Sequence, residues 1–259
     1  MTAAVSPTQI KAQEIAARSP YGWGHTIEFP DFTMPGILGT AYQTIIENLT
    51  TLGWLPENLS GKRVADIGCF SGGMTKILAE RGAVDVLAVD EIPGHANQCQ
   101  LVVDVFDLFQ VQILCASLYQ LPQFDLQQQD LITCSGVLYH LSDMLVGLKV
   151  MRDLLKPDGL LLLESNAIDD MERSYANFGR FYAGMWWQPT SLCISDMCKA
   201  MGFAEPEIRF YEPGRCLVRT TASGEMPFKR GLNYSFSDIR DEQPRPMDAK
   251  IMRPAKPTF

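Results

Sequence analysis

What most restricts the fold of this chain is an alternation that begins after Gly61: a short apolar run, a stretch of helical period, and the same again. Residues 63–67 and 84–89 have strand length and strand character, and 72–80 carries Met74, Ile77 and Leu78 on one helical face. A helix over 96–109 follows, with Leu101, Val102, Val105, Phe106 and Phe109 facing inward, and then strands over 111–115 and 130–135. The spacing predicts a helix over 143–155, with Met144, Leu145, Leu148, Met151, Leu154 and Leu155 inward; Lys156-Pro157-Asp158-Gly159 stops it. Residues 160–164 are nearly continuous apolar sequence, as in a central strand covered on both faces. A helix over 190–201 ends at Gly202, and strands near 207–211 and 215–220 are joined by Glu212-Pro213-Gly214. The pattern implies an α/β fold: a mainly parallel seven-stranded sheet with an antiparallel edge hairpin, helices on both faces, and a ligand at the carboxyl ends of the strands.

This core is expected over 61–222, with an aromatic insertion at 166–189. Residues 1–60 form a helical or lid segment before it, with helices about 7–17 and 36–53; Leu38, Tyr42, Ile45, Ile46, Leu49 and Leu52 give the second its apolar face. Residues 223–259, rich in Pro, Arg and Asp, read as a poorly ordered or surface-draped tail. A net charge of −8 disfavours a broad nucleic-acid footprint. Seven cysteines, an odd number without a Cys-x-x-Cys pair, read as reduced buried thiols. Three histidines without ligand spacing suggest no metal. Residues 1–20 hold no apolar stretch of signal-peptide type and no segment reaches membrane-spanning length, so a cytoplasmic protein without a membrane partner is expected.

The first strand runs into Asp66-Ile67-Gly68-Cys69-Phe70-Ser71-Gly72-Gly73 and a helix starts at once. Glycines there let a ligand approach the backbone. The spacing is Gly-x-x-x-Gly-Gly, not the Gly-x-Gly-x-x-Gly that places a pyrophosphate on a helix N-terminus, which argues against a nicotinamide-dependent oxidoreductase. An acid two residues before the first glycine suits a cationic ligand. Asp90, ending the second strand 22 positions beyond Gly68, can accept both hydroxyls of a ribose.

These residues resemble the class I, Rossmann-like methyltransferases that use S-adenosylmethionine. Asp66-x-Gly68-x-x-x-Gly72 is similar to their first motif and Asp90 to their ribose acid. Asp130-Leu-Ile-Thr-Cys-Ser-Gly-Val-Leu-Tyr-His140 is similar to their fourth-strand motif, and Leu155-Lys-Pro-Asp-Gly-Leu-Leu-Leu-Leu-Glu164 to their next helix–strand junction. Phe70 departs from the pattern, since many members have glycine there. The resemblance spans about 60–220 and implies S-adenosylmethionine as cofactor, with S-adenosylhomocysteine as product. It assigns cofactor contacts to Asp66, Gly68, Cys69, Phe70, Gly72, Asp90, Glu91, Ser117, Leu118 and Ser135. A narrower resemblance, carried by Trp23-Gly24-His25-Thr26-Ile27, Pro35-Gly36 and Gly136-Val-Leu-Tyr-His140, is to the tRNA wobble-uridine carboxymethyltransferases and their biosynthetic relatives. The tRNA enzymes use a carboxylated cofactor and a lysine-rich entrance. Here residues 23–36 hold no Lys or Arg, and Arg215 alone could match their C-terminal arginine. Ordinary S-adenosylmethionine and a small acceptor are therefore expected.

Tyr139 and His140 follow the fourth strand, where this resemblance places methyl transfer. His140 either deprotonates the acceptor, as an imidazole titrating near neutrality can, or caps the helix beginning near Ser142. His25 is read as part of a lid over the substrate or as a packed N-terminal residue, and His95 as a helix-start residue without a role. Tyr182, Trp186 and Trp187 lie in an insertion dense in aromatics, which can stack on an acceptor or cap the core; a helical turn would separate Tyr182 from Trp186. The expected function is methyl transfer to an O or N atom of a small biosynthetic molecule. The alternatives are tRNA modification and a catalytically silent cofactor-binding protein.

Overall fold

In the computed structural model, which describes residues 5–225 and 251–252, the alternation after Gly61 becomes two sets of strands. They belong to two compact units, Met1–Ser117 with Lys250–Phe259, and Leu118–Ala249.

The first unit opens with α1 (Pro7–Arg18), capped by Ser6, whose hydroxyl accepts from the Gln9 amide; Pro7 stands at its first turn, where its missing N–H costs nothing. Two short strands, β1 (Ile27–Glu28) and β2 (Thr33–Met34), pair antiparallel and lack enough periodic sequence to have been foreseen. Next comes α2 (Ala41–Thr51), which buries Tyr42, Ile45, Ile46 and Leu49. It starts later than expected because the Gly36 amide donates to Thr26 Oγ1 and the Leu38 amide to the Gly24 carbonyl; Leu38 is left exposed.

The parallel strands β3 (Arg63–Ile67), β4 (Asp85–Asp90) and β5 (Val111–Cys115) follow, linked by α3 (Gly73–Glu80) and α4 (Pro93–Val105). Val64, Ala65, Val86, Ala88, Ile113 and Leu114 on these strands are all shut off from solvent. The helix α4 begins earlier than predicted, with Pro93 at its first position, and ends at Val105. Asp107 then turns into left-handed backbone, which leaves Phe109 exposed rather than inward.

The second unit contains β6 (Gln129–Ser135), α5 (Met144–Leu154), β7 (Leu155–Asn166), β8 (Ala176–Phe178), β9 (Trp187–Pro189), α6 (Ser191–Ala200), β10 (Glu207–Glu212) and β11 (Arg215–Thr221). Its main sheet runs β10-β11-β7-β6, with β6 and β7 parallel and the β10–β11 hairpin antiparallel, as the Glu212-Pro213-Gly214 turn predicts. Caps fix both helices: the Asp143 carboxylate accepts from Val146 N, and Thr190 Oγ1 from Cys193 N. Leu145 falls off the buried face of α5 and is exposed. Lys156-Pro157-Asp158-Gly159 does more than stop α5. Gln129 pairs with Leu155 and Leu131 with Leu160, so these four residues bulge out of a single strand. The insertion forms no α-helix: β8 and β9 make an antiparallel ribbon, with Phe178 opposite Trp187 and a short 3-10 turn at Tyr182–Gly184 between them.

The seven expected strands are therefore present, three in one unit and four in the other, and the fold class is the Rossmann-like one. In addition β12 (Ile251–Met252) pairs antiparallel with β5. The expectation of a loose tail otherwise falls on 226–250 and 253–259, outside the described residues. All seven cysteines are free thiols, although Cys115 and Cys193 are only half-buried. Among the described residues no helix is long and apolar enough to cross a membrane.

Leu148 is fully enclosed on α5. Leu148→Ala should cost about 2–5 kcal/mol in urea unfolding, through lost transfer energy and the cavity left behind. A loss below about 1 kcal/mol would show that α5 does not pack as described.

Candidate functional site

The loop between β3 and α3 is shaped by Gly68 and Gly72, both in left-handed backbone, with Gly72 as the N-cap of α3. The amides of Gly68 and Cys69 both donate to the Val89 carbonyl, at 2.8 and 2.9 Å, so the loop is stitched to β4. Phe70 has φ +50°, a left-handed backbone that costs a bulky residue on the order of 1–2 kcal/mol. Its amide donates to Asp90 Oδ2 at 3.0 Å. Asp90 Oδ1 accepts from the Ile92 amide at 2.9 Å and from His95 Nδ1 at 3.1 Å. Sequence reasoning gave His95 no role, yet it is buried and orients this carboxylate.

Asp66 is buried as well, and its Oδ2 accepts the Thr75 hydroxyl at 2.6 Å, so it ties β3 to α3. The Cys69 thiol is engaged with Cys99, and that bond together with burial pushes its pKa well up. Glu91 is exposed, Ser117 and Ser135 are half-buried, and Leu118 is buried.

The segment before α2 is fastened onto this loop. Gly24 N donates to Gln98 Oε1, Gln98 Nε2 to the Gly22 carbonyl, and His25 N to Ser71 Oγ at 2.6 Å. A Cβ on Gly24 would lie 2.2 Å from the Phe70 ring, so the close approach itself demands glycine. The Phe70 ring stands edge-on between two imidazoles, with centroids 5.3 Å from His25 and 4.1 Å from His95. His25 also packs on Tyr42. Two ring nitrogens, His25 Nδ1 and His95 Nε2, are buried without a hydrogen-bond partner among the described residues. Burial, aided by His95 and opposed by Asp90, lowers the His25 pKa to about 4, so this ring is neutral at pH 7.

In the second unit, Tyr139 and His140 form a 3-10 turn after β6. His140 Nδ1 lies 3.0 Å from the Gly184 carbonyl. A carbonyl only accepts, so Nδ1 carries the proton and a neutral ring keeps its lone pair on Nε2. Trp186 N donates to the Tyr139 carbonyl and Trp187 Nε1 to the Ser142 carbonyl, so the β8–β9 ribbon clamps this turn. Tyr182 is largely exposed and Trp186 partly so, whereas the Trp187 indole N–H is spent on the clamp. Arg180, Phe181 and Ala183 at the ribbon tip all have φ near +50° to +60°, a run of strain of the kind that collects where a ligand must fit.

A second cluster joins Tyr139 and Arg215, both singled out in the sequence, to Glu164 and Tyr211, which were given no role there. Arg215 donates from Nε to Glu164 Oε1 at 2.6 Å, from Nη2 to Oε2 at 2.7 Å, and from Nη1 to Tyr139 Oη at 2.9 Å. Tyr211 Oη donates to Glu164 Oε1. Burial raises the Glu164 pKa against the pull of Arg215; Arg215 is itself held more firmly charged by Glu164 and Tyr139, against burial.

Residues 39–204 match a family model described as a methyltransferase domain. The chain belongs to this family. It is a class I, S-adenosylmethionine-dependent methyltransferase domain. A tRNA U34 carboxymethyltransferase from Desulfotalea psychrophila is 29% identical over 158 residues, 60% of this chain and 48% of that protein. A ubiquinone biosynthesis O-methyltransferase from Acinetobacter baylyi is 30% identical over 115 residues, 43% of this chain and 48% of that one. The chain thus spans about half the length of these curated relatives. Among solved structures, the N-terminal domain of EvdMO1, crystallised with S-adenosylhomocysteine and D-fucose, gives a TM-score of 0.62 at 15% identity, covering 85% of this chain and 98% of that one. An S-adenosylmethionine-dependent methyltransferase from Mesorhizobium loti gives 0.55 at 18% identity, covering 68% of this chain and 96% of that one. Both share the fold.

The methyltransferase's first unit fits its cofactor chemically. The ligand is cationic and carries hydroxyls but no phosphate. Such a ligand would find there an oriented carboxylate, a glycine-shaped loop, and two buried ring nitrogens without a hydrogen-bond partner among the described residues.

His25 also makes stability depend on pH. The unfolded imidazole titrates near 6.5 and the folded one near 4, so between these values the unfolded chain binds the extra proton. The stabilisation is complete above pH 6.5 and is lost as pH falls towards 4, by about 3 kcal/mol. Urea midpoints measured across this range should show the fall in wild type and a shallower one in His25→Phe. Parallel curves would mean that His25 is not a buried neutral ring.

Proposed function

We propose that this domain methylates an oxygen or nitrogen atom of a small biosynthetic molecule, in the cytoplasm, with S-adenosylmethionine as donor and S-adenosylhomocysteine as product. The observation that carries the reading is the Asp90 carboxylate, held at the end of β4 by the amides of Phe70 and Ile92 and by His95. Gly68, Cys69, Phe70, Gly72 and Asp90 hold the cofactor. When bound, it supplies a methyl group on a sulfonium that leaves as a neutral thioether. His140 takes the acceptor's proton at Nε2, the nitrogen left basic by the Gly184 contact. Tyr139, Tyr182 and Trp186 position the acceptor. Trp187, expected in the same role, acts through its hold on Ser142. Support for a small, hydroxyl-bearing acceptor comes from the net charge of −8 and from the likeness to a ubiquinone biosynthesis O-methyltransferase.

The Arg215–Tyr139 contact favours the rival reading, tRNA modification with a carboxylated cofactor, because a guanidinium could take the added carboxylate. Glu164 weighs against it. Both Arg215 N–H groups that face Glu164 are already paired, so a second carboxylate would meet a neutral ion pair.

Calorimetry with S-adenosylhomocysteine should show binding by wild type and a loss in Asp90→Ala, each charge-assisted hydrogen bond being worth about 1.5–3 kcal/mol. Unchanged affinity in the variant would sink the cofactor assignment. His140→Ala should lower turnover by roughly 10²–10⁴-fold at constant cofactor affinity. An unchanged rate and pH profile would make His140 structural and point to an acceptor that ionises unaided. Mass spectrometry of protein purified from cells that make both cofactors should find the plain one; retention of mainly the carboxylated form would favour tRNA modification.

A further inference from the structure

Two histidines in the first unit have an arrangement that packing alone does not explain. His25 and His95 come from different parts of the chain, yet both press edge-on against the Phe70 ring, which fixes their planes. Both are buried, and each leaves one ring nitrogen without a partner among the described residues. A buried polar atom left unpaired is costly, and native structures seldom tolerate one without a reason. His95 donates from Nδ1 to Asp90, so the lone pair of the neutral ring sits on Nε2. At His95 an acceptor therefore lacks a donor, and the neutral His25 ring presents the same at Nδ1 in the tautomer that carries its proton on Nε2.

We propose that His25 and His95 are cofactor-contacting residues, with His25 Nδ1 and His95 Nε2 accepting hydrogen bonds from polar donors of bound S-adenosylmethionine. This rests on the cofactor reading above, and it moves His25 from the substrate side to the cofactor side. The ligand's donors are its ribose hydroxyls, its ammonium and its adenine amine, and an imidazole lone pair can accept from any of them. His95 shares Asp90, the ribose acid, and so serves the ribose. His25 is held through its amide by Ser71 of the glycine loop and so serves the amino-acid portion. The fastening of residues 22–25 to Gln98 and Ser71 is then the device that brings an N-terminal histidine to the ligand.

The test compares S-adenosylhomocysteine with 5′-methylthioadenosine, which keeps the ribose and lacks the amino acid. By calorimetry, His95→Phe should weaken both ligands by roughly 3- to 10-fold, the worth of one hydrogen bond. His25→Phe should weaken S-adenosylhomocysteine by a similar factor and leave 5′-methylthioadenosine unchanged. His25→Asn, whose amide oxygen stands near the place of Nδ1, should recover part of the loss. Imidazole ¹⁵N spectra of the wild-type protein give an answer even where a variant fails to fold: the His25 Nδ1 and His95 Nε2 resonances should move on saturation with S-adenosylhomocysteine. Tight wild-type binding with those resonances unmoved, or with both Phe variants binding as wild type, overturns the inference alone. No binding by wild type overturns it together with the cofactor reading.

Discussion

The Asp90 carboxylate accepts from three directions: the Phe70 amide on one oxygen, the Ile92 amide and His95 on the other. Charge-assisted bonds of this kind offset the cost of taking a carboxylate out of water. They also fix the end of β4 against the loop after β3, since Val89 next to it accepts from Gly68 and Cys69. Phe70 is held in left-handed backbone by this attachment, and its ring then decides what lies above it. Gly24 has no room for a side chain, the two imidazoles are set at right angles to the ring, and the N-terminal segment is anchored accordingly.

The second unit is organised by an ion pair. Glu164 lies opposite Leu217 in the β7–β11 register, which puts Arg215 two positions along the neighbouring strand and within reach across it. Tyr211 from β10 and Tyr139 from the turn after β6 complete the cluster. One buried carboxylate thereby connects four segments of the unit. The ribbon above the turn is attached by different means, through main-chain and indole bonds to Tyr139 and Ser142.

The strands and helices of the core were readable because burial imposes a period, and the glycine loop because left-handed backbone restricts residue choice. Helix ends were less so: Pro93 and the Gly36–Thr26 bond moved the starts of α4 and α2, and only the first has a local signal. The insertion misled because Tyr182 and Trp186 have helical spacing while Phe178 and Trp187 pair across a ribbon. Arg215 and Glu164, 51 positions apart, meet through strand register, which a period does not encode. Nothing local to His95 points to Asp90, although the two are only five residues apart, because the contact depends on how β4 turns into α4.

The interlock of Phe70 with Gly24 also carries a history. No side chain can be added at position 24 while an aromatic ring occupies position 70, because the ring carbons lie 2.2 Å from where its first atom would go. A glycine at position 70 would suit the local backbone and empty that space. The two sites can therefore diverge in one order only, with the ring lost before the strap gains bulk. Among homologues, an alanine or larger residue aligned with Gly24 should accompany a small residue aligned with Phe70, and small residues at both positions mark the intermediate through which lineages pass.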